Sequence, residues 1–376
     1  AVEKLLRRGP LSDFLGRAGD RFLGGKEVLR FERYFARKFN AKYAVSFNSA
    51  TTALEAAASA LELEPGSEVI VSPYTMSATF TALLANNLVP IFADIEVGTF
   101  CLDPKSIEAR MTKKTKAIFT TNLFGGSCSY GKILPLCKSR GLKLVEDNAQ
   151  APGAKYKNKY LGTIGDIGVF SFNVHKTAQA GEGGVLLTNN KDLAFRAQLK
   201  RNHGEQVLDD LGRNDIFAIG TNSRMSEVHA AICCAQVKKL DFLNAKRVAL
   251  ANYLTNKLAK IPGLKPFRVL SNTTHVYYLY PIKFDEKNFG ISRKRFAAAM
   301  KPEGFVLNEG YMKPMHLLKM FQGRRLYKYM PWLQPQNYAK NMCPTVERMY
   351  EKELLLTNIC RYPLTKTHID LFAQAA

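Results

Sequence analysis

Lys176 lies in the stretch Ser171-Phe172-Asn173-Val174-His175-Lys176-Thr177-Ala178-Gln179-Ala180-Gly181-Glu182-Gly183-Gly184, and Asp147 in Val145-Glu146-Asp147-Asn148-Ala149-Gln150. The second stretch reads as a buried strand ending in a carboxylate. The first reads as a strand end running into a lysine and then a glycine-rich turn. A carboxylate held at a strand's C-terminal edge can pair with a protonated pyridine nitrogen, and a lysine facing it can condense with an aldehyde. Those are the two groups that pyridoxal 5'-phosphate (PLP) chemistry requires. Taken singly, each reads as a solvated side chain at a turn. In this order, inside a chain that alternates strands and helices, they form a candidate catalytic pair.

The elements around them must bring both to one edge of a sheet. The N-terminal part, to about residue 42, reads as helices, because Glu32 to Phe39 has apolar residues at helical spacing. Ala44-Val45-Ser46-Phe47 is a short strand, and Asn48-Ser49-Ala50-Thr51-Thr52 opens an alanine-rich helix to about Leu63. Small hydroxyl residues at a helix start cap it and present free N–H groups to an anion. Apolar strands then recur at Glu68–Val71, Val89–Asp94, Lys116–Thr120, Lys143–Asp147, Gly168–Phe172 and Gly184–Thr188, with helices between them. That pattern predicts a parallel sheet covered on both faces, with ligands at the carboxyl ends of the strands. A long helix follows from about Ser226 to Asn256. Beyond it a strand is expected over Val276–Ile282, with helices over Ser292–Met300 and Thr345–Leu356. The change of pattern places a second domain from residue 250, giving domains 1–249 (with the N-terminal helical segment) and 250–376.

The 376 residues are enough for two cores, and 46% hydrophobic with 23% charged residues is ordinary for a water-soluble protein. No apolar run reaches the ~18 residues that cross a bilayer, so no membrane partner is expected. The start, Ala1 to Arg8, has no apolar signal-peptide core. Seven cysteines show neither disulfide spacing nor a CxxC pair, which points to the cytoplasm. The net charge of +22 raises the question of nucleic acid, but the basic residues are scattered. The longest basic run is Arg293-Lys294-Arg295, so a positive field that draws in an anionic small molecule is the better reading.

With these motifs placed, the chain resembles the DegT/StrS family of sugar aminotransferases nearly end to end. The resemblance rests on Glu64-Pro65-Gly66-Ser67 before the Glu68–Val71 strand, on the Glu146–Gln150 box and on Leu161 to Gly168. It continues through the lysine segment, Asn222-Ser223-Arg224-Met225-Ser226-Glu227, and Cys343-Pro344-Thr345-Val346-Glu347-Arg348. It implies an α/β, fold type I PLP-dependent transferase, with a mostly parallel central sheet, helices on both faces and a smaller α+β C-terminal domain. It implies that Lys176 forms the Schiff base and later carries a proton, and that Asp147 pairs with the pyridine nitrogen. By the same resemblance Gln150 sits near the ring's phenolic oxygen, while Ala50, Thr51 and Ser171 cradle the phosphate. Asn222 matches an asparagine donated across a homodimer interface to that phosphate. Two positions depart from the family pattern: Met76 stands where an aromatic residue faces the ring, and Ala50 where the phosphate turn has glycine.

The activity implied is transfer of an amino group from glutamate (or glutamine) to a keto-sugar, expected to be carried on a nucleotide diphosphate. A keto-cyclitol acceptor and a PLP-fold regulatory or DNA-binding protein remain as alternatives. Related sugar dehydratases carry histidine in place of the lysine, so Lys176 argues against that chemistry. Adjacent residues of a strand face opposite ways, which makes His175 a core or supporting histidine. His203, on a loop, and His316, in the second domain, are candidates for touching substrate, and Arg224 for supporting the Asn222 turn. No histidine has metal-ligand spacing with another histidine or a cysteine.

Overall fold

The computed structural model describes residues 2–16, 19–206, 215–216, 218–267, 269–323, 325–333 and 338–376. Its centre is a seven-stranded sheet of β1 (Tyr43–Phe47), β2 (Glu68–Val71), β3 (Val89–Phe92), β4 (Thr115–Thr121), β5 (Lys143–Asp147), β6 (Ile167–Ser171) and β7 (Gly184–Thr188). In space they run β1-β7-β6-β5-β4-β2-β3. The pairs from β3 across to β6 are parallel, and β7 lies antiparallel to both β6 and β1. The expected mostly parallel sheet is therefore present, with one reversed strand.

Side-chain alternation explains why both faces must be covered. Val45, Val169 and Leu186 join a core beneath the alanine-rich helix Ala50–Ala60. Their neighbours Ala44, Phe170, Val185 and Leu187 pack on the opposite face against Phe31, Phe35 and Phe39 of helix Lys26–Phe39 and against Cys233, Val237 and Leu240 of helix Glu227–Leu258. A third apolar cluster, from Leu250 to Phe372, lies around the four-stranded sheet of Leu264–Pro266, Tyr280–Phe284, Leu354–Thr357 and Asn308–Glu309. Met315, Phe321, Val346 and Met349, although late in the chain, pack into the core of the large sheet instead. All seven cysteines are buried thiols. No described helix is long and apolar enough to cross a membrane.

Two expected elements differ. The strand foreseen over Val276–Ile282 begins only at Tyr280, because Tyr277 adopts a left-handed backbone at φ 50° that no strand accommodates. The helix foreseen over Thr345–Leu356 stops at Arg348, passes through one wide turn at Met349–Glu353, and becomes the strand Leu354–Thr357. Leu354, Leu355 and Leu356 are buried between two neighbouring strands. Pairing on both edges outweighs leucine's preference for helix, as tertiary context commonly does.

One buried ion pair ties three elements together. Arg201, fully buried, donates from Nη1 to the Glu32 carboxylate at 2.6 Å and to Ser46 O at 3.2 Å, and from Nη2 to Leu23 O at 3.3 Å. The same Glu32 oxygen accepts the Ser46 N–H and hydroxyl, both at 2.8 Å. Replacing one member of such a pair leaves the other charge buried and uncompensated. Glu32→Ala is expected to cost about 3–5 kcal/mol, measured as a lowered urea midpoint at unchanged slope.

Candidate active site

Strand register gathers the predicted residues at one sheet edge. Gly184 lies opposite Phe47 on one side and Ser171 on the other, so β1 and β6 end side by side. Asp147, the last residue of β5, is paired with Val169 of β6. The space at that edge depends on Gly184. A Cβ there would strike the Ser49 carbonyl oxygen and come within 2.6 Å of the Ala50 nitrogen. Ser49 caps helix Ala50–Ala60, accepting the Thr52 N–H at 3.2 Å, while the Thr52 hydroxyl donates to Asn48 at 2.7 Å. The first N–H groups of the helix have no partners within it, and the helix dipole favours an anion there. Half-buried Ala50 and exposed Thr51 form that end.

Asp147 is almost fully buried and closely held. Thr79 Oγ1 donates to its Oδ2 at 2.7 Å, and the Ala149 N–H to its Oδ1 at 3.1 Å. Behind Thr79 runs a line of hydroxyls, with Thr75 at 2.9 Å and Thr121 bonded to Thr75 at 3.3 Å. Burial pushes the Asp147 carboxyl above its usual range, opposed by Thr79, by Ala149 and by the charge of Lys176. The converse holds at Lys176, where burial lowers the ammonium's pKa and Asp147 raises it. A lysine that loses its proton easily is the form that condenses with an aldehyde.

Lys176 occupies a turn, not a strand. Its N–H bonds to Asn173 O at 2.9 Å, and the flanking chain is closed by Val174 N–H to Gly181 O and Ala180 N–H to Phe172 O. Strand alternation therefore does not govern His175, which is exposed instead of in the core.

A group that sequence reasoning missed closes the site from the C-terminal side. The Tyr278 ring lies under Lys176, with Nζ 4.8 Å from its centroid. Gln150 accepts the Phe124 N–H at 2.8 Å and donates to the Tyr311 hydroxyl at 2.9 Å, and Tyr311 N–H donates to the Tyr74 hydroxyl at 2.8 Å. Tyr74, Phe124 and Tyr311 meet edge to face. The signals available were the aromatic doublet Tyr277-Tyr278 and the Gly310-Tyr311 step, neither of which is periodic.

The other predicted residues fall as follows. Ser171 is buried, with its hydroxyl accepting the Asn173 N–H at 3.3 Å. Met76 is 51% exposed, one residue before the N-cap of helix Ala78–Leu84. Asn222 is exposed and its backbone bridges to Asn202, beside the Asn48 turn through the Asn48 N–H to Ser223 O bond. Arg224 supports that region, donating to Asn202 at 3.2 Å. His203 is an exposed loop residue at φ 65°. The structure does not bring His316 to the group. It is fully buried against Phe92, with Nε2 2.9 Å from the Glu347 carboxylate, which also accepts the Asn341 and Cys343 N–H groups.

Comparison with known proteins identifies the architecture. The model of the DegT/DnrJ/EryC1/StrS aminotransferase family matches residues 17–356. The chain belongs to this family. It is 33% identical to the spore coat polysaccharide biosynthesis protein SpsC of Bacillus subtilis, over 84% of this chain and 83% of that one. It is 33% identical to a GDP-perosamine synthase of Caulobacter vibrioides (78% of each chain), and 32% identical to the L-glutamine:scyllo-inosose aminotransferase of Streptomyces griseus (74% and 69%). Among solved structures, the aminotransferase from Psychrobacter cryohalolentis superposes with a TM-score of 0.85 at 30% identity, covering 93% of this chain and 90% of that one. The chain is thus a PLP-dependent aminotransferase of fold type I that acts in the sugar class.

The residues present fit that cofactor. An open helix N-terminus, a glycine where a side chain would fill the cradle, a buried carboxylate and a lysine of lowered pKa share one edge. Thr79→Val removes a hydroxyl that favours the ionised form of Asp147, so the Asp147 pKa rises further. The acid limb of the pH–rate profile is then expected to move to higher pH, with activity at neutral pH falling about tenfold or ~1.4 kcal/mol. Steady-state rates across pH check this, and an unmoved limb removes Thr79 from the site.

Proposed function

We propose that the chain transfers an amino group from glutamate (or glutamine) to a keto-sugar carried on a nucleoside diphosphate, in amino-sugar biosynthesis for a polysaccharide. The single observation that carries the reading is that one sheet edge holds both Asp147, at the end of β5, and Lys176, in the turn after β6, near enough to act on each other's charge. The relatives named as GDP-perosamine synthase and polysaccharide biosynthesis protein support the acceptor class. A net charge of +22 supports an anionic substrate by raising its encounter rate. The relative named for scyllo-inosose supports a second reading, in which the acceptor is a keto-cyclitol.

The roles of the residues follow from their chemistry. When bound, PLP supplies an aldehyde that takes up the amino group and a ring that accepts electrons. Lys176 Nζ would hold that aldehyde and, when free, would carry the proton between the substrate carbon and the cofactor. Asp147 would pair with the pyridine nitrogen and keep it protonated. The N–H groups at Ala50 and Thr51, with the Ser171 hydroxyl, bind the phosphate, and Gln150 orients the ring's phenolic edge. The Met76 thioether covers a ring face. His203 remains a candidate substrate contact from its exposed loop.

Purified protein is expected to show a visible absorption band with PLP that glutamate bleaches, and Lys176→Ala to show neither band nor turnover. Turnover retained in Lys176→Ala overturns the assignment. With the donor established, turnover of a nucleoside-diphosphate keto-sugar but not of a keto-cyclitol separates the two acceptor readings.

We further propose a homodimer in which the exposed Asn222 serves the partner's phosphate site. Mixing inactive Lys176→Ala chains with Asn222→Ala chains then creates one intact site per mixed dimer, and activity is expected to return. If Asn222 serves its own chain's site, no intact site forms and the mixture stays at the level of its parts.

A further inference from the structure

The segment Val276–Leu279 is more tightly fixed than a connection between two strands requires. Val276 N–H donates to Gly125 O at 2.9 Å, and His275 Nδ1 accepts the Tyr277 N–H at 3.0 Å. Arg247, from the long helix, donates to the carbonyls of both Tyr277 (3.0 Å) and Tyr278 (3.3 Å). Gly125 and Gly126 lie flat against the segment. A Cβ on Gly125 would stand 2.8 Å from the Tyr277 nitrogen, and one on Gly126 would stand 2.6 Å from the His275 ring. Tyr277 is held at φ 50°, a conformation costly for an aromatic residue and sustained only by surrounding bonds. Its ring stacks on that of Tyr280 and meets the His275 ring at a tilt of 47°. The outcome of all these constraints is the placement of one ring, that of Tyr278, with Lys176 Nζ 4.8 Å from its centroid.

We infer that Tyr278 is a positioning residue for Lys176, its ring face holding the lysine's ammonium whenever the amino group is not bonded to cofactor. The inference rests on the reading of Lys176 as the reactive lysine. An aromatic face attracts a cation through its quadrupole, more strongly where water is thin. Burial works against the Lys176 ammonium, and the Asp147 carboxylate works for it. The ring gives the ammonium a second partner, which opposes part of the downward push of burial and keeps Nζ in place between the two half-reactions. Among the described residues, Asp147 acts on the charge of Lys176, and Arg247 and Tyr311 lie near enough to interact electrostatically with Tyr278.

The sign of one measurement separates this role from simple packing. If Tyr278 only excludes water, its loss solvates Lys176 and raises the lysine's pKa. If the ring face holds the ammonium, its loss lowers that pKa, by about one unit for an attraction of this kind. The full-length chain freed of PLP is labelled with acetic anhydride across pH, and the Lys176 peptide is quantified by mass spectrometry to give the amine's pKa. Tyr278→Leu is expected to lower it by about one unit, while Tyr278→Phe, which keeps the ring face, leaves it in place. Tyr278→Met serves the same purpose where the leucine variant does not fold. An unchanged or raised pKa in the ringless variants overturns the proposal, as does a phenylalanine variant that shifts as far as they do. Wild-type protein that forms no visible band with PLP sinks the lysine reading itself. A normal band with an unmoved pKa sinks only the role of Tyr278.

Discussion

A carboxylate and an amine share one low-dielectric space at the end of a sheet, and neither is comfortable there alone. Desolvation pushes the Asp147 carboxyl toward its neutral acid and Lys176 toward its neutral amine, while each favours the charged form of the other. A buried charge is sustained by hydrogen bonds as well as by an opposite charge nearby. Thr79 and the Ala149 N–H supply them on the acid side. On the base side lies a ring face, that of Tyr278. The net effect is a Lys176 ammonium held below its ordinary pKa.

The sheet exists in the form that satisfies this constraint. Parallel strands β4, β5 and β6 carry their carboxyl ends to one edge, and the reversed β7 starts at that edge with a glycine. Because Gly184 has no side chain, the helix start at Ser49 and Ala50 can close on the strand. The lysine turn between β6 and β7 is closed by backbone bonds across residues 172–183. Lys176 is thereby anchored to two neighbouring strands of the sheet.

The C-terminal half contributes more than a cover. Tyr278 and Tyr311 reach the site from segments more than a hundred residues past Lys176, and the second is locked to the sheet edge through Gln150 and Tyr74. His316 has a different task. It is paired with Glu347 inside this half, and the neighbouring Met315 N–H, bonded to Pro73 O, joins this half to the loop that leads to Thr75 and Thr79.

The sequence by itself determined the alternating strands and helices, the Asp147 and Lys176 pair, the capped helix at Ser49 and the family. These are local signals: apolar runs, a hydroxyl before a helix and a carboxylate or glycine at a strand's end each report on a few adjacent residues. Only the tertiary structure decided that β7 runs backwards, that Leu354–Thr357 is a strand, that His175 is exposed and that His316 is walled in. It alone placed Thr79 on Asp147 and Tyr278 under Lys176. These outcomes arise from contacts between residues far apart in the chain. Their free energy comes from burial and strand pairing at the meeting point, which no local pattern records.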